Sequence, residues 1–383
     1  MLKLVEKIVH IVSFDVPYPA NYGGVIDVFY KIKSLHNIGV KVILHCFQYG
    51  RSSSDQLENY CDAVYYYPRL QGLKYQLSTK PYIVSSRASK ELLKRLAADN
   101  HPIIFEGLHS TFCIGDSSIK DKVKWVRMHN IEHDYYAGLA KVEKNWFKKL
   151  YFNLESIRLG WYEKVLKHAS GVLAISSNDL KQLSTRFDEV NYIPAFHPNA
   201  DLDCVVGKGG YTLYHGNLAV GENQEAVKFL INEVYSSINI PLIVAGGGAP
   251  NWLKQLINQY KHITLDEQSE MGHIKKLLQH AQINVLPTFQ PTGIKLKLLF
   301  ALFNGRFCVV NKPMIDETGL EEFCHIATNA KEMQQQISQL FNADFTLDQI
   351  EKRKEIIEKF SGEAAAQKLT TMLWSPSTFL GHK

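Results

Sequence analysis

KIVHIVSFDVPYPANYGGVIDVFYKIKSLHNIGVKVILHCF runs from Lys7 to Phe47. It opens on an apolar run ending at Phe14, breaks in a Pro/Gly/Asn loop, and resumes at Val25 with apolar residues near helical spacing. Gly39 has the place of a helix C-cap, and VKVILHCF then reads as a second strand. Strand, loop, helix, strand is a βαβ unit, so a parallel sheet is expected.

The same alternation continues outward. HPIIFEG, VKWVRMHN and GVLAISS read as further strands, and WFKKLYFNLESIRLGWYEKVLKHA, from Trp146, as one long helix. YIPAFHPNADLDCVVGKGG is rich in turn residues, with Pro194, Pro198 and three glycines, and marks a domain boundary. Beyond it the pattern restarts: strands YTLYHG, PLIVAGGG, INVLPT and FCVV, with ENQEAVKFLINEVY, NWLKQLINQY and HIKKLLQHA as helices. The divisions expected are 1–200, 201–350 and a helical tail, 351–383. The fold expected is α/β, two doubly wound domains facing each other across a linker. Ligands of such sheets sit at the C-terminal ends of the strands, here in the cleft between domains.

The chain has 383 residues, more than one ordinary core holds, with 45% hydrophobic and 21% charged residues. Its net charge of +5 is too small to argue for nucleic acid, though it suits an anionic ligand or a membrane surface. Six scattered cysteines contain no C-x-x-C, so neither a zinc cage nor a redox pair is indicated. Reduced thiols in a cytosolic protein are the simplest reading. MLKLVEKIVHIVSF carries Glu6 and Lys7 within its apolar stretch and reads as a lead-in and first strand, not as a signal peptide. No apolar run reaches the ~20 residues of a membrane span.

Chemistry is suggested first by GIKLKLLFALFNGRFCVV, Gly293 to Val310. Thr292 and Gly293 close a loop, and a helix follows whose free N–H groups and dipole favour an anion. Lys295 and Lys297 stand at its mouth, where positive charge costs ~0.3–1 kcal/mol unless an anion is bound. A phosphate or pyrophosphate explains them better than two solvent lysines do. On a regular helix the two would point apart, so both reach one ligand only if Lys295 lies in the entering turn. Asn21-Tyr22-Gly23-Gly24 is the corresponding loop after the first strand. It is not a G-x-G-x-x-G fingerprint, and an ordinary βα turn is an equal reading.

With these pieces in order, the chain resembles a glycosyltransferase of GT-B fold, of the retaining family-4 type. PYPANYGG resembles the family's glycine loop, RMHNIEHDYY its histidine-bearing segment, and AISSNDLKQL its serine-ended strand before a helix. YIPAFHPNAD resembles "IPNGVD", YHGNL resembles "GRL", and LIVAGGG resembles "VGxG". NVLPT with TGIKLKLLFALFNGRFCVV resembles "PSxxEGxGxxLLEAMAxGxPVV". The resemblance spans essentially the whole chain. It implies transfer of a sugar from a nucleotide-sugar to a hydroxyl of a glycan or lipid-linked glycan, without a metal, and a tail packed back on the first domain. It places His129 against the donor sugar and Lys295 and Lys297, as in a "GxRxKxLEA" variant, on the diphosphate. Gly23, Gly24, Gly216, Asn217, Gly246, Thr292 and Gly293 fall on the donor side. Tyr22, Asn130 and Glu132 fall on the acceptor side.

There are departures. Thr292 and Phe300 stand where the family often has two glutamates, the second of which holds the donor ribose. Asn217 and Glu222 stand where it has the Arg and Lys of the pyrophosphate site. The two lysines are expected to take over that charge. Two other classes stay open: a nucleotide-sugar epimerase of the same architecture, and a non-catalytic relative whose donor site has decayed at Phe300.

His129-Asn130-Ile131-Glu132-His133 also spells H-x-x-E-H. That zinc motif needs a helix to bring both imidazoles to one face, and here a strand runs straight into His129. The helix from Trp146 to His168 mixes Lys148, Lys149, Arg158, Lys164 and Lys167 with aromatics. Such mixing suits an anionic membrane surface, which would place the protein at the inner face of the membrane. The favoured reading is blander, with aromatics packed on the sheet and charges in water.

Overall fold

Strands buried on both faces need near-continuous apolar runs, and the first strands supply them. In the computed structural model, which describes residues 6–143, 145–289 and 296–374, β1 is Ile8–Ser13 and every residue after Ile8 is buried. β2 (Lys41–Gln48) and β3 (Ala63–Pro68) lie to one side of it. β4 (Ile103–Glu106), β5 (Lys124–Arg127), β6 (Gly171–Ala174) and β7 (Val190–Tyr192) lie to the other. All seven pair in parallel, in the order β3-β2-β1-β4-β5-β6-β7. The helix Gly23–Asn37 makes the first crossover, and Gly39, at φ 81°, ends it in the left-handed region as expected.

The second sheet contains β8 (Thr212–His215), β9 (Leu242–Ala245), β10 (Ile263–Asp266), β11 (Ile283–Leu286), β12 (Phe307–Asn311) and β13 (His325–Ala327). It too is parallel, in the order β10-β9-β8-β11-β12-β13. Both sheets reverse direction of growth at their first strand, the mark of a doubly wound fold. Contacts divide the chain into two compact units, one ending at Pro198 and resuming at Phe360, the other lying between. The resumed piece is the helix Gly362–Trp374. Its Ala365, Ala366, Leu369 and Leu373 join Val28, Ile32 and Leu35 of the first helix in one core. Residues 351–359, expected in the tail, stay with the second unit.

Two arginines close helix ends in the second unit. The last carbonyls of a helix have no partner within it. Arg353, almost fully buried, donates to the carbonyls of Leu302 at 3.0 Å, Gly305 at 2.7 Å and Arg306, at the end of the helix Leu296–Asn304. Arg306 does the same for Gln279 and Ala281 after the helix Met271–His280. Phe300, on the first of these helices, is buried within the unit.

The helix from Trp146 corrects the sequence reading. The α-helix ends at Tyr162 and a 3₁₀ turn carries on to His168. Its aromatics do not all face the sheet: Trp146, Phe147 and Trp161 are exposed, as are Leu150, Leu154 and Ile157. The buried side is made by Leu159 and Glu155, whose carboxylate accepts from the Tyr82 amide at 2.7 Å. Periodicity located an apolar stripe correctly, but nothing in the described chain covers it.

Arg353→Met should lower stability by about 2–3 kcal/mol, the loss of charged hydrogen bonds to buried carbonyls. The denaturant midpoint of the variant, against wild type, measures it.

Candidate functional site

The C-terminal ends of the first sheet carry a buried set of charges. Asp27 and Lys31 sit one turn apart on the helix Gly23–Asn37, Glu106 ends β4, and Arg127 ends β5. Lys31 Nζ donates to Asp27 at 3.1 Å and to the two Glu106 oxygens at 2.7 and 2.9 Å. Arg127 forks onto both Asp27 oxygens at 2.9 and 3.2 Å. It also donates to the carbonyls of Ile193 at 2.6 Å and Pro194 at 3.0 Å. All four side chains are fully buried. Burial pushes the Asp27 carboxyl up, but Arg127, Lys31 and His129 outweigh it and hold it well below the usual range. Burial likewise pushes Glu106 up, and Lys31 and His129 bring it below its ordinary value.

His129 follows β5 directly. Its Nε2 lies 2.8 Å from Glu106 Oε2, while its Nδ1 has no hydrogen-bond partner among the described residues. The ring of Phe14 stands edge-on to it, with centroids 5.4 Å apart, and also meets His109 at 5.3 Å. Gly24 makes room for that ring, since a Cβ there would come 2.6 Å from it. Gly24 thus serves Phe14 rather than a close backbone approach, and a Cβ on Gly23 would meet nothing within 4 Å.

Glu132 opens the next helix, Glu132–Val142, and is buried. Its Oε1 lies 3.8 Å from His109 Nδ1, and neither atom has a hydrogen-bond partner among the described residues. Burial pushes its carboxyl up to about 8, with Arg87 pulling down and Glu163 adding to the rise. Arg87, held by the carbonyls of Phe14 and Ile83, is itself lowered by burial to about 9. An acid that stays protonated near neutrality can donate a hydrogen bond or a proton. Asn130 is half-buried, and Tyr22 donates to Asp15 at 2.9 Å.

Asp27, Glu106 and His129 have the composition of a metal site, with one ligand atom each within 4.8 Å of the others. The donors do not fit one. Lys31 and Arg127 already neutralise both carboxylates and occupy their oxygens. The H-x-x-E-H string is no zinc site either: the helix begins only at Glu132, and His133 turns to Glu163, 3.6 Å away.

In the second unit the ends of β8 and β9 meet through glycine. A Cβ on Gly246, at φ 146°, would lie 1.9 Å from the Gly216 carbonyl oxygen, so only glycine fits. Asn217 is exposed. Its carbonyl accepts from Asn223 and its side chain from the Ala219 amide. Lys297 reaches this turn: its Nζ donates to Asn223 Oδ1 at 2.6 Å and to Tyr214 Oη at 3.3 Å, and sits 5.2 Å over the Tyr214 ring. His215, lowered to about 3 by burial and then by Lys297, stays neutral there. Glu222 accepts from Thr288, where it adds no positive charge. Thr292, Gly293 and Lys295 lie outside the described residues.

Sequence reasoning singled out His129 and Glu132, which the structure places in the first unit, and Gly216, Asn217, Gly246 and Lys297, which it places at or beside the ends of β8 and β9. It missed Phe14, Asp27, Lys31, Arg87, Glu106 and His109 in the first unit, and Tyr214, His215 and Asn223 in the second. Position at the end of a strand would have flagged Glu106 and His215. Nothing local would have flagged Lys31.

No known family profile matches the chain. It is 27% identical over 332 residues, 81% of this chain and 84% of the other, to an uncharacterized 44.6 kDa protein in the cps region of Klebsiella pneumoniae. Among solved structures it is similar to the lipopolysaccharide outer core galactosyltransferase WaaB, with 15% identity and a TM-score of 0.64 over 96% of this chain and 99% of that one. It is also similar to a variant of S. aureus TarM in complex with Fondaparinux, alpha-GlcNAc-glycerol and UDP, with 13% identity and a TM-score of 0.65 over 96% and 100%. The fold is therefore the two-domain α/β fold of these GT-B glycosyltransferases.

A carboxyl raised from 4.5 to about 8 gives stability that is full at low pH and is lost as pH rises towards 8. Wild type should therefore lose stability across that window at up to ~1.4 kcal/mol per pH unit, and Glu132→Gln should lack that fall. Denaturant midpoints measured from pH 5 to pH 8, values spanning roughly that window, test it.

Proposed function

We propose that the protein is a glycosyltransferase that moves a sugar from a nucleotide-sugar to a hydroxyl of a glycan or lipid-linked glycan, with retention at the anomeric carbon. The observation that carries this is Lys297. In a chain of this fold, the ammonium stands beside the Gly216–Gly246 contact, at the C-terminal end of β8. That is where such sheets take a nucleotide. The second unit holds the diphosphate, and Lys297 supplies the charge that Asn217 and Glu222 lack. UDP is bound by the TarM variant, and galactosyl transfer is the named activity of WaaB. The cps-region setting of the Klebsiella relative agrees with a polysaccharide acceptor.

The first unit handles the sugar and the acceptor. His129, fixed through Nε2 by Glu106, offers Nδ1 to a sugar hydroxyl. Glu132, held neutral, donates a hydrogen bond to the sugar or the acceptor. In the transfer, the bond from the anomeric carbon to the diphosphate oxygen breaks and the acceptor oxygen takes its place. The acceptor's proton passes to the departing diphosphate, whose negative charge Lys297 stabilises. No resident metal is required in this scheme, because the leaving group is met by an ammonium.

A thermal-shift screen against UDP, GDP, ADP, CMP and their sugar conjugates should show stabilisation by one nucleotide family. Ligand at a hundred times its Kd adds about 2.7 kcal/mol. Lys297→Ala should lose most of that shift and about tens-fold in turnover, as a charged contact in a dry site is worth ~1.5–3 kcal/mol. An unchanged shift and turnover in that variant would remove Lys297 from the diphosphate site.

A further inference from the structure

The Trp146–Tyr162 helix turns its apolar side away from the core. Trp146, Phe147, Leu150, Leu154, Ile157 and Trp161 are each between 52% and 78% exposed. At 3.6 residues per turn all six fall within an arc of about 100°. Glu155 and Leu159 hold the opposite side in the core. Arg158, at the edge of the arc, straps the neighbouring segment by donating to the carbonyls of Gln76, Ser78 and Lys80. That segment adds Leu73 and Leu77, also exposed.

The exposed charges of this stretch itself share one sign. Lys148, Lys149, Lys164 and Lys167 are exposed, whereas the two acids of the same stretch, Glu155 and Glu163, are buried. Between Arg69 and Lys90 the sequence has no acidic residue, and it adds Lys74 and Lys80. On the helix packed alongside, Asp134 lies 3.5 Å from His133, and Glu143 accepts from the Asn145 amide. Among the described residues no helix is long and apolar enough to cross a membrane.

We propose that this face docks in the plane of an anionic lipid surface, with its aromatic and aliphatic side chains seated at the headgroup boundary and the lysines on lipid phosphates. Apolar arc, aromatic ends and basic flanks are the features such helices need. A second copy of the chain fits less well. Antiparallel pairing of two such helices would set Lys148 and Lys149 of one against Lys164 and Lys167 of the other, and like charges repel. The surface does not depend on the reaction proposed above, because docking requires no donor or acceptor.

The test is co-sedimentation of the full chain with vesicles of phosphatidylcholine mixed with phosphatidylglycerol, and with phosphatidylcholine alone. Binding is expected to the mixed vesicles, weakening as salt rises. Ile157→Asn with Trp161→Ser should weaken it about tenfold or more. Lys164→Glu with Lys167→Glu should weaken it by about fivefold for each lysine lost. All four positions are exposed, so the melting temperatures should match wild type. Wild type that binds neither vesicle, or variants that bind as well as wild type, would overturn the proposal. So would a lipid-free dimer in sedimentation velocity that the Ile157/Trp161 variant abolishes, without vesicle binding.

Discussion

The first unit is organised by four fully buried charges, Asp27, Lys31, Glu106 and Arg127, and by the histidine that leans on them. Two carboxylates and two cations cancel, so no net charge is buried, and each carboxylate is met by more than one donor. Such a set contributes little net stability compared with well-packed apolar residues, because desolvating four ions offsets most of their attraction. What it fixes is position. Asp27 and Lys31 lock the first helix to the ends of β4 and β5. Arg127 ties the same point to the carbonyls of Ile193 and Pro194, and the Phe196 amide donates back to Asp27 at 2.8 Å. The sheet edge and the chain that leaves it are therefore held at one place. His129 is held there with them, one nitrogen committed and the other not.

The second unit solves the corresponding problem with fewer charges. Its sheet ends are brought close by a contact only glycine tolerates, Gly216 to Gly246. The helix that begins at Leu296 is capped at its far end by Arg353, which donates to the carbonyls of Leu302 and Gly305. Lys297 then meets neutral acceptors, the Asn223 amide oxygen and the Tyr214 hydroxyl. These two oxygens are uncharged, whereas Lys31 is neutralised by two carboxylates. The two lysines are alike in chemistry, and the acceptors named around them differ.

This contrast explains what the sequence could and could not say. Alternation of apolar strands and amphipathic helices is local, so the parallel α/β fold could be read directly. The strands that escaped notice, β3, β7, β10 and β13, are short or half-exposed. His129 and Lys297 were legible because each follows a recognisable segment. Lys31 and Glu106 are 75 residues apart and Asp27 and Arg127 are 100 apart, so no spacing rule connects them. The Trp146 helix failed for another reason. Periodicity reports that one side of a helix is apolar, not what lies against it.

That helix also bears on how the first unit works. It packs along the helix Glu132–Val142. Ser156 Oγ donates to the His133 carbonyl at 2.7 Å, and a Cβ on Gly160 would lie 3.8 Å from the His133 side chain. Glu132, whose protonated carboxyl depends on staying dry, is the residue next to His133. The Ser156 hydroxyl thus ties the two helices together at the residue that follows Glu132. The exposed arc is on the far side of the same helix. The helix that carries the exposed arc is therefore hydrogen-bonded to the first turn of the helix that Glu132 opens, and a group seated on the arc rests on one member of that packed pair.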